Sequence, residues 1–102
     1  MIHVIATVNI AEGRRHEFLA EFNRIVPEVL QESGCLEYGP TIDFDSGLDR
    51  QDPVENDVVV ILEKWESIEH LKAHLIAPHM TGYRTRVQEM VVSSNLRITE
   101  GA

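Results

Sequence analysis

The sequence predicts an α+β fold: one antiparallel four-stranded sheet with helices on a single face. Three observations lead there. Hydropathy alternates with period two over Ile2–Ile10, then takes up a helical period from Arg14 onward. The whole chain reads strand, helix, strand, strand, helix pair, strand, which is two strand–helix–strand units sharing one sheet. Val58–Leu62 are five apolar residues in succession, a strand that must be covered on both faces.

In the first strand, Ile2, Val4, Ala6, Val8 and Ile10 point one way, while His3, Ile5, Thr7 and Asn9 point the other. Ala11-Glu12-Gly13 ends it. Phe18, Phe22, Ile25 and Val29 then fall on one helical stripe, widened by Leu19, Val26 and Leu30. Pro27 lies inside this run and removes a backbone donor, so a kink is expected there, with Gly34 as the stop. Cys35 to Asp45 reads as a second strand. Gly39-Pro40 places it at a sheet edge or at a bulge. Residues 46–53 are rich in turn formers. The acids Asp43, Asp45, Asp49 and Asp52 do not match a calcium loop: counted from Asp43, glycine falls at the fifth position and valine at the twelfth. Asp57 to Trp65 is the third strand. Ser67 caps a helix carrying Ile68, Leu71, Leu75 and Ile76, and Pro78 opens another whose stripe is Met80, Tyr83, Val87, Met90 and Val91. Ser93 to Glu100 is the last strand. This is a ferredoxin-like split β-α-β arrangement in one domain, residues 1–102.

Helices in 102 residues cover one face of such a sheet. The other face then meets something, and a second copy is the simplest candidate, so a homodimer is expected. Net charge is −8, with 17 acidic against 9 basic residues, which argues against nucleic acid and anionic membrane surfaces. No apolar run reaches bilayer length, the first residues do not resemble a secretory signal, and one cysteine allows no internal disulfide. The expected location is cytoplasmic.

Four features in order point to a family: Gly13 opening the first helix; Glu32-Ser33-Gly34-Cys35-Leu36-Glu37-Tyr38; Glu63-Lys64-Trp65; and His74 followed by Ala77-Pro78-His79. On these the chain resembles the antibiotic biosynthesis monooxygenase domain, within the dimeric α+β barrel superfamily. The resemblance implies a dimer with two sheets facing each other and a pocket in each subunit between sheet and helices. Members of this group include monooxygenases that oxidise phenolic or hydroquinone-like rings with O2 and without metal or flavin. Others degrade haem, isomerise small metabolites or have no known activity, so membership alone leaves the reaction open. Haem-degrading members carry an Asn at about the position held here by Ala6. The acidic loop, residues 45–57, is longer than the connection common in the family.

The candidate chemistry lies between Glu63 and His79. Glu63 and Trp65 share a strand face, so Trp65 either stacks on an aromatic substrate or fills the core. Glu63 either accepts a proton or pairs with a base such as Arg84 or Arg86. His70 and His74 stand four apart on a helix. That spacing lacks the Glu of a zinc-binding His-Glu-x-x-His, and His79 serves as a third ligand only if the Pro78 turn folds it back, so no metal site is assigned; His70 is read as exposed and His74 as facing a pocket, where a neutral imidazole can deprotonate a phenol. His79 lines the pocket or caps a turn. Tyr38 and Tyr83 hydrogen-bond a substrate or pack as amphipathic core, and Arg84 and Arg86 hold an anion or balance local acids. Cys35 reads as an inert thiol. The expectation is a cofactor-independent monooxygenase acting on a small aromatic substrate and O2, with His74 and Glu63 as catalytic groups and Trp65, His79, Tyr83 and Tyr38 as substrate contacts. An isomerase of a small metabolite and a non-catalytic small-molecule-binding dimer are the alternatives.

Overall fold

The computed structural model describes residues 1–102. Its elements are β1 (Ile2–Ile10), α1 (Arg15–Leu30), β2 (Cys35–Thr41), β3 (Val58–Trp65), α2 (Ile68–Leu75), α3 (Pro78–Val87) and β4 (Val91–Glu100). The strands form one antiparallel sheet in the order β2-β3-β1-β4. This is the ferredoxin-like arrangement, with helices on one face.

Strand parity decides what faces the helices. Val4, Ala6, Val8 and Ile10 of β1 are buried, as are Val59, Ile61, Glu63 and Trp65 of β3. In α1 the predicted stripe of Phe18, Phe22, Ile25 and Val29 is buried throughout. Phe22 stacks on Tyr38 of β2 with ring centroids 5.3 Å apart, and meets Tyr83 of α3 edge-on at 5.7 Å. Burying side chains of this size stabilises the fold by about 2 kcal/mol each. The helix runs unbroken through Pro27. Pro40 lies in the edge strand β2, where its missing donor costs no ladder bond, and the register shift falls earlier, between Cys35 and Glu37.

The structure revises several readings. The second strand ends at Thr41, so residues 42–57 form one irregular connection. Its acids serve the backbone: Asp43 accepts from the Glu55 amide at 2.9 Å and Asp45 from the Gly47 amide at 3.2 Å. The first helix stops at Leu30, before Gly34, and Leu30 is half-exposed. In α2 only Leu71 and His74 are buried; Ile68, Leu75 and Ile76 stay exposed, because the helix is too short to lay a full stripe on the sheet. As the sequence predicts, Ser67 Oγ accepts from the His70 amide at 3.4 Å, and Pro78 opens α3.

The helices leave two surfaces uncovered. One is the open sheet face, where Ile5 pairs with Leu62 and Val60 lies beside them. On that side of the apolar run Val58 is buried, Val60 half-buried and Leu62 exposed. The other is β4. Its Ser94, Leu96 and Ile98 pair with Val8, Ala6 and Val4 and so share their helix-side face, yet Leu96 is 57% exposed. The helices stop short of this strand.

Gly34 fixes how the first half of the chain meets the second. Its φ is +80°, its carbonyl accepts from the Glu66 amide at 2.9 Å, and an added Cβ would overlap the His70 ring. Gly13 has a similar φ of +76° with open space around it. Gly13→Ala therefore costs only the backbone penalty, about 1 kcal/mol. Gly34→Ala adds overpacking and is expected to cost at least about 2 kcal/mol. Urea denaturation of the two variants measures this difference; equal midpoints would contradict it.

Candidate active site

Between the helix-side sheet face and α2–α3 lies a cavity of about 310 Å³. Eleven of its sixteen lining residues are hydrophobic, the two tyrosines among them, which suits a ring better than a small polar metabolite. Ala6, Ile61 and Leu96 of the sheet form its floor, and Phe22, Met80 and Val87 its helical wall. Four polar side chains interrupt this lining while being themselves buried: Tyr38, Glu63, His74 and Tyr83.

Each is placed by its element. Glu63 and Tyr38 are cross-strand partners on the helix side of β3 and β2. Trp65, two residues on, shares that face, and its indole Nε1 donates to Glu63 Oε1 at 2.9 Å. Tyr83 projects from α3, next to Phe18 and Phe22. His74 is 2% exposed near the end of α2. Its ring lies 4.7 Å from that of Trp65 and 5.3 Å from that of Tyr38, centroid to centroid.

One carboxylate orders the histidines. Glu32, just past the end of α1, has its Oε2 2.8 Å from His74 Nδ1 and 2.7 Å from His79 Nε2. With Nδ1–H given to Glu32, His74 keeps a lone pair on Nε2. That nitrogen has no protein partner and is not fully buried, in a ring that lines the cavity. The two tyrosine hydroxyls and Glu63 Oε2 likewise have no protein partner, on side chains that line the cavity.

Burial sets the protonation states. It pushes Glu63 up to about 6, partly opposed by the Trp65 N–H, with the Glu32 charge adding to the rise. It lowers His74 against the opposing pull of Glu32, keeping the imidazole neutral at neutral pH. Tyr38 and Tyr83 are both raised by burial, so their hydroxyls remain donors.

The structure brings together four of the six residues singled out from sequence: Glu63, His74, Tyr38 and Tyr83. The other two lie elsewhere. Trp65 is fully buried and stands behind the cavity wall, where it holds Glu63 and packs on His74. His79 lies outside, on a polar depression it shares with Arg24, Glu28 and Arg86. Glu63 does not pair with a basic residue: Arg84 donates to the Leu75 carbonyl at 2.7 Å and Arg86 to Glu21 at 2.7 Å. His70 is half-buried, with its Nδ1 2.7 Å from Ser67 Oγ. Glu32 is the participant that sequence reasoning passed over. Its signal was its place in the Glu32-Ser33-Gly34-Cys35 turn, two residues before a glycine with positive φ.

Glu63 carries a pH signature. The unfolded chain loses this proton near 4.5 and the folded one near 6, so stability falls as pH rises between those values. Above them it stays lower by about 2 kcal/mol. Glu63→Gln removes this dependence. The variant is expected to gain about 1–2 kcal/mol on wild type at pH 8 and to lose that advantage at pH 4.5, as read by denaturant titration at both pH values. An advantage independent of pH would refute the assignment.

Comparison with known proteins agrees with this architecture. The description of the antibiotic biosynthesis monooxygenase family matches residues 1–86. The chain is 41% identical over 102 residues to the probable quinol monooxygenase YgiN of Escherichia coli K12, covering 98% of this chain and 97% of that protein. The YgiN of Shigella flexneri matches equally. Among solved structures, PA3566 of Pseudomonas aeruginosa superposes with a TM-score of 0.83 at 18% identity, over 99% of this chain and 93% of that one. Rv0793 of Mycobacterium tuberculosis gives 0.80 at 20% identity, over 99% and 94%. At such identities the structural matches speak for the fold.

Proposed function

This chain belongs to the antibiotic biosynthesis monooxygenase family, and we propose that its cavity oxygenates a quinol with O2, the quinol itself supplying the electrons. The observation that carries the proposal is a buried, carboxylate-anchored His74 in the lining of an apolar cavity, its Nε2 without a protein partner. The volume suits a system of roughly one or two fused rings. YgiN, with which the chain is collinear, carries quinol monooxygenase in its name.

The steps balance without another reductant. His74 Nε2 takes the proton of one quinol hydroxyl, and Glu32 steadies the imidazolium through Nδ1–H. The quinolate passes one electron to O2. The resulting semiquinone and superoxide combine at a ring carbon, forming a C–O bond and a peroxide. The proton on that ring carbon then leaves, its C–H electron pair closes a ring C=O, and the O–O bond breaks: one oxygen stays on the ring, and the other leaves as hydroxide and takes a proton to become water. Quinol plus O2 thus gives hydroxyquinone plus water. Glu63, with a proton affinity raised towards neutrality, is the donor to the leaving oxygen. Tyr38 and Tyr83 hold the substrate oxygens as donors, and the apolar lining keeps out bulk water.

Oxygen-electrode assays with a panel of one- and two-ring quinols test this. We expect O2 uptake with formation of the hydroxylated quinone, reduced about 10²–10⁴-fold in kcat by His74→Ala. Glu32→Gln keeps a hydrogen-bonding side chain but loses the charge, and is expected to cost about tenfold or more. No O2 uptake across the panel, or full activity in His74→Ala, would sink the proposal.

The same reading places a second copy of the chain on the open sheet face. Ile5, Val60 and Leu62 form its centre, and Leu62 is 44% exposed in the single chain. Light scattering is expected to report the mass of two chains, and Leu62→Arg that of one. A single-chain mass for the wild type at micromolar concentration would exclude the dimer.

A further inference from the structure

We propose that Glu32, His74 and His79 form a site for a divalent first-row transition ion such as zinc, and that filling it switches the base off. Their ligand atoms all lie within 4.8 Å of one another. They come from three separate elements, the turn after α1, the end of α2 and the first turn of α3. Two imidazoles and one carboxylate suit zinc, cobalt or iron(II), and do not suit calcium or magnesium.

Three features of the surroundings fit an ion. Glu32 Oε2 already lies 2.8 and 2.7 Å from the two ring nitrogens, and neighbouring ligands around a tetrahedral cation bound at about 2.0–2.2 Å stand about 3.4 Å apart. Binding therefore asks the carboxylate to back away by about 0.6 Å from each ring and the imidazoles to approach one another by up to about 1.4 Å. His79 can supply that movement, being the outer member of the set with its side chain 19% exposed. An entry path exists as well. His79 lies on the polar depression of about 330 Å³ on the side of the helices away from the quinol cavity. The two arginines there, Arg24 and Arg86, both bond to Glu21, which offsets one of their two charges. Glu28 brings a further carboxylate to 3.5 Å from His79 Nδ1.

The effect on the cavity follows from the tautomer. A metal on Nδ1 of His74 displaces the proton from that nitrogen. The neutral ring then carries its one proton on Nε2. The atom facing the cavity changes from a lone pair to an N–H donor, which cannot accept the quinol proton. This inhibitory consequence rests on the quinol reading above; the metal site does not.

Isothermal titration of the full, metal-free protein with zinc chloride tests the site without substrate. One ion per chain is expected, with Kd on the order of 1 μM. Cobalt(II) should show the visible absorption of a low-coordinate nitrogen–oxygen site. Glu32→Gln and His79→Gln should each weaken zinc binding at least about tenfold, with far-UV circular dichroism unchanged. O2 uptake, taken relative to each protein's own metal-free rate, should fall with the bound fraction and return with chelator. No binding up to about 100 μM zinc overturns the site, as does wild-type affinity in both variants. Full zinc occupancy with full activity overturns the switch. Absence of quinol turnover in the metal-free protein removes the proposed reaction and leaves the binding result to decide the site alone.

Discussion

The fold converges on one tight crossing, where the turn after α1 passes beneath the start of α2. Gly34 makes it possible. A side chain there would occupy the space of the His70 ring, and the backbone sits in a region that L-residues avoid. With the crossing made, Glu32 comes under the ends of two helices and satisfies both His74 and His79. Without it, His74 would be a buried imidazole with an unpaired N–H, which is costly in an interior of low polarity. Packing and chemistry thus depend on the same few atoms of turn.

The polar groups of the cavity are arranged by what stands behind them. Glu63 is held by the Trp65 indole on one oxygen, and His74 by Glu32 on one nitrogen. Each keeps its second polar atom for the cavity. Burial acts on the two in opposite senses, raising the carboxyl and lowering the imidazole. The two shifts bring a carboxyl and an imidazole of one cavity lining towards a common range, which is what the proposed reaction asks of them.

Much of this fold is legible in the sequence because its periodicities are clean. The alternation of β1 and the stripe of Phe18, Phe22, Ile25 and Val29 need no tertiary information. The short α2 misleads, since Ile68, Leu75 and Ile76 look like a stripe but have no sheet left to cover. Half the site was readable from local spacing: strand parity puts Glu63 on the helix side, and helical phase puts His74 inward. Glu32 was not. It lies 42 residues from His74 and 47 from His79, and in the sequence it reads as one more acid on the solvated face of the first helix. Trp65 carried the right parity and the wrong depth, because α2 closes over the end of β3.

The partial cover over β4 has a consequence of a different kind. Leu96 and Ser94 help enclose the cavity while remaining largely open to solvent. Residues of this sort can be exchanged without creating a void or an overpacked contact in the interior, so substitutions there carry little penalty in stability. Glu63, His74 and Trp65 are buried, in packing that resists change. On the function proposed above, a lineage carrying this fold alters which molecules it admits by drifting along one exposed strand, while these buried groups stay as they are.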